Sequence, residues 1–456
     1  YTYSPRAKPF KPFAKLIKGN KWSLLKDAQF DYLPRNINLR MDADRLYSEL
    51  LNRSNDLFKS ITPKLYDKNF TLNRFYNLNW KLMPSIGLDY TATTNARIQE
   101  PIGELNTEEK RDTVRQELYD FGRMTRFNQQ ANLTYNVPFG KIKPLNWITS
   151  NLRYSSTFSW DQAPPNLKEV GNTIGNSGDK SANANLNLIK LYNKIPALRN
   201  INRGIPPAPK KKKKKEDKKN LDKNKEEEED KGSKKKKELN SFHHVLRGIM
   251  MVRNINLSYS QRDGNSLPGF NRSIDYLGNN FLRNAPGLPY SFGEQDESFR
   301  YNMARDGHLS NSLLITNFYQ QSSTRNFNLR STIEPIRNFR INLTFEQTFS
   351  DNEQGQFRFD TTDNFNDFRD LSSNQTGTFS STYVFIRTAF EAAGNSSNDY
   401  ASDAFTEFLN NRFTISQRLQ NEDTRVAGTG RDTINGYPLG YGKTSQSMYY
   451  INFLQS

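Results

Sequence analysis

Three histidines, His243, His244 and His308, are the only imidazoles in the chain, and they bound its metal and general-base chemistry. His243 and His244 are adjacent, so from a strand they face opposite sides and cannot share one ion. No third ligand stands near them in sequence, and a solvated pair is the expectation. A Ser-His-Asp triad is defined by geometry rather than order, but no Gly-x-Ser-x-Gly nucleophile elbow occurs. Gly428-Thr429-Gly430 has part of a phosphate-loop pattern without its remaining glycine and Lys-Ser/Thr pair, so a flexible loop is expected. Asp360, Asp363, Asp367 and Asp370 offer spaced oxygens of the kind that hold Ca²⁺, but the glycine of an EF-hand loop is missing. A solvated loop is expected there as well. Cysteine is absent, which excludes thiolate chemistry and a disulfide framework. These residues point to no catalytic group, no metal and no cofactor.

Charge and aromatic content suggest binding instead. The formal charge is +17, of which the tract Lys210–Glu238 carries +6 and the rest +11. A basic chain invites a nucleic-acid reading, with aromatics stacking on bases. The alternative is that arginine and lysine line a wet lumen or meet anionic headgroups. Aromatics make up 12% of the chain and the apolar set only 34%. That combination fits neither a disordered chain, which lacks aromatics, nor an ordinary globular core. It suits a barrel with one apolar face toward lipid and one polar face toward water.

The elements that would position these side chains follow from period-two alternation. Tyr76, Leu78, Trp80, Leu82, Ile86, Leu88 and Tyr90 share one parity, and Asn77, Asn79, Lys81 and Asp89 the other. Met83-Pro84-Ser85 interrupts the run, because proline cannot donate to a ladder. The pattern predicts a hairpin of strands 72–82 and 86–98 whose first set faces lipid and whose second set faces the lumen. Tyr76, Trp80 and Tyr90, with Trp147 and Trp160, are expected to form interface girdles. The parity places the aromatics with the aliphatics, against base stacking. Similar alternation predicts hairpins over 127–160 and 327–349, and single strands at 34–43, 182–192, 252–260 and 377–388. About ten strands result. Long polar loops (44–71, 99–126, 161–181, 261–325, 350–376) alternate with short turns, the asymmetry of outer-membrane barrels. A soluble β-sandwich also alternates but does not need such loops.

The expected fold is therefore all-β, a partial antiparallel transmembrane β-barrel with long extracellular loops and a periplasmic Lys-rich insertion. Residues 1–33 form a periplasmic N-terminal segment, and 34–192 and 251–388 are barrel strands with their extracellular loops. Residues 193–250 form the periplasmic insertion, and 389–456 a periplasmic or lumenal segment with a short helix near Phe405, Phe408 and Leu409. Lys210–Glu238 has Leu221 as its only large apolar residue, too little to offset the entropy of ordering; a dispensable spacer is expected. The chain starts at Tyr1, without a signal peptide, and is taken as a piece of something longer. An outer-membrane nutrient receptor or lipopolysaccharide exporter is the rival barrel reading, and a soluble nucleic-acid-binding protein the rival outside the membrane.

Several short stretches, in order along the chain, carry a resemblance. They are Phe30-Asp31-Tyr32-Leu33-Pro34, Thr94-Asn95-Ala96-Arg97-Ile98 with Glu100-Pro101, and Leu257-Ser258-Tyr259-Ser260 followed by Leu267-Pro268-Gly269-Phe270. Ile333-Glu334-Pro335, Asn411-Arg412 with Ile415-Ser416, and Gly440-Tyr441-Gly442-Lys443 complete the set. Together they resemble the SprA (Sov) family, the outer-membrane translocon of the type 9 secretion system of the Bacteroidetes. The resemblance implies a very wide barrel that exports folded proteins in secretion and gliding motility. It also implies a lipocalin-like barrel partner and a periplasmic plug protein, besides secreted cargo. The chain is much shorter than such a barrel, so the remainder of the wall is expected from residues outside it. No nucleic acid is expected as a partner.

Overall fold

The computed structural model describes residues 1–5, 9–12, 29–51, 64–196, 198–199, 248, 250–336, 338–362, 366–382, 403–422, 433–434, 436–438 and 441–442. They divide into two units, Tyr1–Thr378 and Phe379–Ser456. The first unit is built on one sheet of eleven strands in strict chain order. Its strands are β1 (Thr2–Tyr3), β2 (Asn36–Leu50), β3 (Leu65–Met83), β4 (Ile86–Arg97), β5 (Arg123–Val137) and β6 (Ile148–Asp161). They continue with β7 (Asn172–Asn187), β8 (Val252–Phe270), β9 (Tyr319–Ile336), β10 (Phe339–Asp360) and β11 (Asp367–Ser381). The pairings from β1 through β10 are all antiparallel. The sheet is not closed: β1 and β11 are its two edges.

Nine of the ten expected strands are present; of the tenth, expected at 377–388, only the first residues belong to β11, which begins at Asp367, and 383–388 lie outside the described residues. β1 adds a two-residue pairing to the lower end of β2. Most strands run farther than the alternation suggested, chiefly toward the long-loop end. β8 reaches Phe270 and β10 reaches Asp360, inside stretches expected to be loop. There the apolar parity fails, because Asn265, Gln321 and Glu353 occupy positions that lower down are apolar. Backbone pairing continues without that signal. At the other end, β7 stops at Asn187, whose side chain caps helix α2 (Leu188–Lys194) by accepting from the Lys190 amide. That replaces the expected strand end at 188–192 with a helix.

The hairpin turns have physical causes. Met83 pairs with Ile86 across Pro84-Ser85, and a register shift separates that pair from Trp80 and Leu88. β9 continues through Pro335 to Ile336 before Asn338, in the left-handed region at φ +66°, reverses the chain. The connection after β4 is partly helical: α1 (Glu108–Tyr119) is capped by Thr107 and buries Val114 against Leu72, Ala96 and Ile98. Helices α3 (Leu288–Ser291) and α4 (Phe299–Arg305) lie in the long connection between β8 and β9.

The second unit contains helix α5 (Asp403–Glu422) and a hairpin of β12 (Thr433–Ile434) and β13 (Tyr437–Pro438). The helix is twenty residues long, not short. Its buried positions include Arg412, Ile415, Ser416 and Gln420, one turn apart; Leu409, expected on the apolar stripe, is exposed. The Ser416 hydroxyl donates to the Tyr441 carbonyl at 2.7 Å, and Phe413 meets Tyr437 edge to face. The tract 210–238, His243-His244, Gly428-Thr429-Gly430 and Lys443 lie outside the described residues.

Candidate functional site

Because each ladder is in register, the sheet has two faces that can be read row by row. One row runs Asn38, Asn77, Thr91, Gln130, Thr157, Ser177, Gly264, Ser322, Asn352 across nine strands. The next on that face runs Asn36, Asn79, Asp89, Asn132, Ser155, Asp179, Arg262, Thr324, Ser350. Lower rows hold Asn136, Asn151, Asn183, Ser258, Asn328 and Glu346. This amide face carries no aromatic side chain from β4 to β10 among the ladder residues. Its groups bond across strands: Asn151 donates to Asn136 (2.7 Å), Arg153 to Asn132 (2.9 Å) and Ser258 to Asn183 (2.7 Å). Shallow depressions lie on it, one bordered by Asn151, Asn183, Asn256 and Arg330.

The opposite face changes character along the strands. Its lower part is apolar: Trp80, Leu88 and Leu133 share one row, and Leu257, Leu329 and Phe345 share another. Leu133, Leu152, Tyr259 and Leu343 are each about 40% exposed there among the described residues. Its upper part is covered. Phe127, Trp160, Ile174 and Leu267 form one fully buried row, and Phe158 lies beside Gln129 and Asn176 in the row below.

The cover is the β8–β9 connection, 271–318, whose buried residues form one core with those of the sheet. Tyr290 stacks on Phe299 with ring centroids 3.9 Å apart, and Phe158 meets Tyr290 edge to face. Polar strand residues satisfy its backbone, as buried carbonyls require. Gln129 donates to the Ser291 carbonyl (2.8 Å), Asn176 to those of Tyr290 (2.8 Å) and Glu294 (2.9 Å), and Trp160 to that of Arg272 (3.0 Å). Glycine permits the closest approaches: a Cβ on Gly178 would fall 2.5 Å from the Gly293 carbonyl oxygen, and one on Gly278 2.5 Å from the Phe158 ring. Arg300 of α4 fastens the far side. It is buried, stacked on Tyr319 at 4.6 Å, and ion-paired with Asp370 (3.2 Å) and Glu353 (3.5 Å). Burial pulls its guanidinium pKa down, but Asp370, Tyr319 and Tyr301 together raise it above the ordinary value.

The expected site residues are placed as follows. Tyr76, Leu78, Trp80, Leu88 and Tyr90 share the apolar face, and Ile86 joins them through its pairing with Tyr135. Asn77, Asn79 and Asp89 lie on the amide face, Asn79 donating to Asp89. Lys81 and Leu82 sit in the register shift, so Met83 rather than Leu82 stands opposite Ile86. The girdle expectation needs correction. Trp160 is 2% exposed beneath the insertion, so protein rather than bilayer covers it, while Tyr76 and Tyr90 are partly buried against the core that sheet and insertion share. The Trp80 indole donates to the Asp31 carbonyl.

Leu267, Pro268, Gly269 and Phe270 end β8 in a bulge. Pro268 pairs with Thr173 and Phe270 with Asn172, leaving Gly269 extra, at φ +90°. Leu267 and Phe270, three apart, therefore both turn to the covered face and are completely buried. The proline is tolerated because the bulge breaks the ladder there. The insertion was missed in sequence because its anchors are amides and glycines inside strands; the aromatic Tyr290 and Phe299 were the available signal.

No titratable constellation emerges. Asp360 pairs with Arg369, and its pKa is lowered chiefly by the Thr362 amide. Asp370 pairs with Arg300, and Asp363 lies outside the described residues. Among the described residues no cluster of three potential metal ligands occurs, and no helix is long and apolar enough to cross a membrane. No protein-family model matches the chain, and no curated protein matches it.

Proposed function

We propose that this sheet is a stretch of the wall of an outer-membrane β-barrel and that the barrel is a protein-conducting channel of the type 9 secretion kind, exporting folded proteins. The observation that carries this reading is the two-faced register: a face that is polar from β4 to β10, backed by one that is apolar and uncovered in its lower part. The apolar set also slants across the ladder rows, from Leu88 and Leu133 to Leu257, Leu329 and Phe345. Strands tilted through a flat lipid slab would produce that slant. The amide face would line the lumen, the short turns would lie in the periplasm, and the insertion would brace the wall outside, above the bilayer. The export role rests on the family resemblance, as do the lipocalin-like partner, the plug and the cargo. The two open edges call for the rest of the barrel, since lipid cannot satisfy an unpaired strand.

The chain has no cysteine, so single cysteines report environment directly. In the bacterial envelope, cysteine at Asn151 or Asn183 should react with a water-soluble maleimide. Cysteine at Leu133 or Leu152 should resist it and, once labelled with a fluorophore, be quenched by spin-labelled lipid. Equal reactivity at both sets would refute the membrane wall.

A further inference from the structure

The amide face is also balanced in charge. Between the rim arginines Arg97 and Arg123 above and the register shifts at Arg253 and Phe339–Ile341 below, its β4–β10 ladders carry four acids and four arginines. Three of each are paired on neighbouring strands: Arg126 with Asp161 (2.6 Å), Arg262 with Asp179 (2.8 Å) and Arg330 with Glu346 (3.5 Å). The other two are held by asparagines: Asp89 accepts from Asn79, and Arg153 donates to Asn132. The pairs are exposed and worth little as stability. Their effect is on the field, because opposite charges closer together than a Debye length of about 8 Å cancel for anything passing beyond it.

From β4 to β10 the ladder residues of this face offer nothing else that grips a protein. Binding surfaces depend on buried aromatic and arginine anchors and on complementary charge. Here the ladder residues are Asn, Ser, Thr, Gln and Gly with self-paired ions. Resting on the reading of this face as the channel lining, we infer that it is a neutral, non-adhesive surface whose substrate class is folded protein of either net charge. Charge and sequence of the cargo are not read along this stretch; selection belongs to other components.

The test uses acidic and basic surface variants of one folded reporter, equal in size and carrying the same export signal. Export through the parent should be equal for both. The triple variant Asp161→Asn, Asp179→Asn, Glu346→Gln leaves three arginines unpaired and should disfavour the basic form by about tenfold, the low end of charge-steering effects. High salt should close that gap. If the triple variant does not accumulate in the outer membrane, Asn183→Lys with Asn326→Lys adds charge without breaking an ion pair and carries the same expectation. A parent that already separates the two reporters overturns the inference, as does a charged variant that separates neither. A cysteine at Asn151 that no water-soluble maleimide reaches sinks the channel-lining reading itself. A reachable cysteine with either adverse export result sinks only the neutrality.

Discussion

His308 illustrates how the fold sets a residue's chemistry. Its Nδ1 accepts from the Arg272 side chain at 3.3 Å, and the ring is 8% exposed. Burial first, and then the Arg272 charge, lower its pKa, outweighing Asp306. The unfolded chain gains a proton as pH falls through about 6.5, while the docked insertion resists one. The stability His308 contributes is therefore complete above that value and is lost as pH falls toward the folded pKa. Amide protection in 271–318, corrected for the intrinsic pH dependence of exchange, should fall between about pH 7 and pH 5, and His308→Gln should flatten the response. An unchanged profile in that variant would remove His308 as the cause. Position 308 in the sequence is an isolated histidine in a polar stretch; neither its burial nor its arginine neighbour was legible there.

At the level of elements, the insertion and the sheet meet through missing side chains. Gly178 lies on the covered face of β7, and a Cβ there overlaps the Gly293 carbonyl. Gly178→Val should cost about 1–3 kcal/mol as overpacking and expose 271–318 to protease. Gly87→Ala is the control, since its Cβ meets nothing within 4 Å. Equal protease resistance in the two variants would mean that the seat yields more than its backbone contacts suggest. Hairpins such as β3–β4 were legible because turn chemistry and alternation agree. The upper halves of β7 and β8 were not, because Asn176 and Asn265 look like loop until the insertion supplies their partners.

For the whole sheet, the decisive contrast is between neighbours in sequence on opposite faces. Leu88→Arg should lower stability in the membrane by about 2–4 kcal/mol if it lies near the midplane, whereas Asp89→Arg should be mild. Urea titration of the protein in lipid would measure both. Comparable losses would contradict a lipid-facing Leu88. The open edges belong to this scale too: β1 covers only the lower end of β2, where Thr2 pairs with Asn38 and Tyr3 with Ile37.

Alternation along Tyr76–Tyr90 by itself determined that these residues form strands, that Asn77 and Asn79 part from Leu78 and Trp80, and that the connections alternate between long and short. It could do so because side-chain direction in a strand follows from backbone geometry alone. The bulge at Lys81-Leu82 and the paired turn of Leu267 and Phe270 to one side needed the neighbouring strand, since register exists only between two strands. What covers Trp160, and whether Arg300 and Asp370 meet, depended on 271–318 folding back over strands far away in the chain. Burial of that kind is a property of the assembled sheet, and only the tertiary structure decided it.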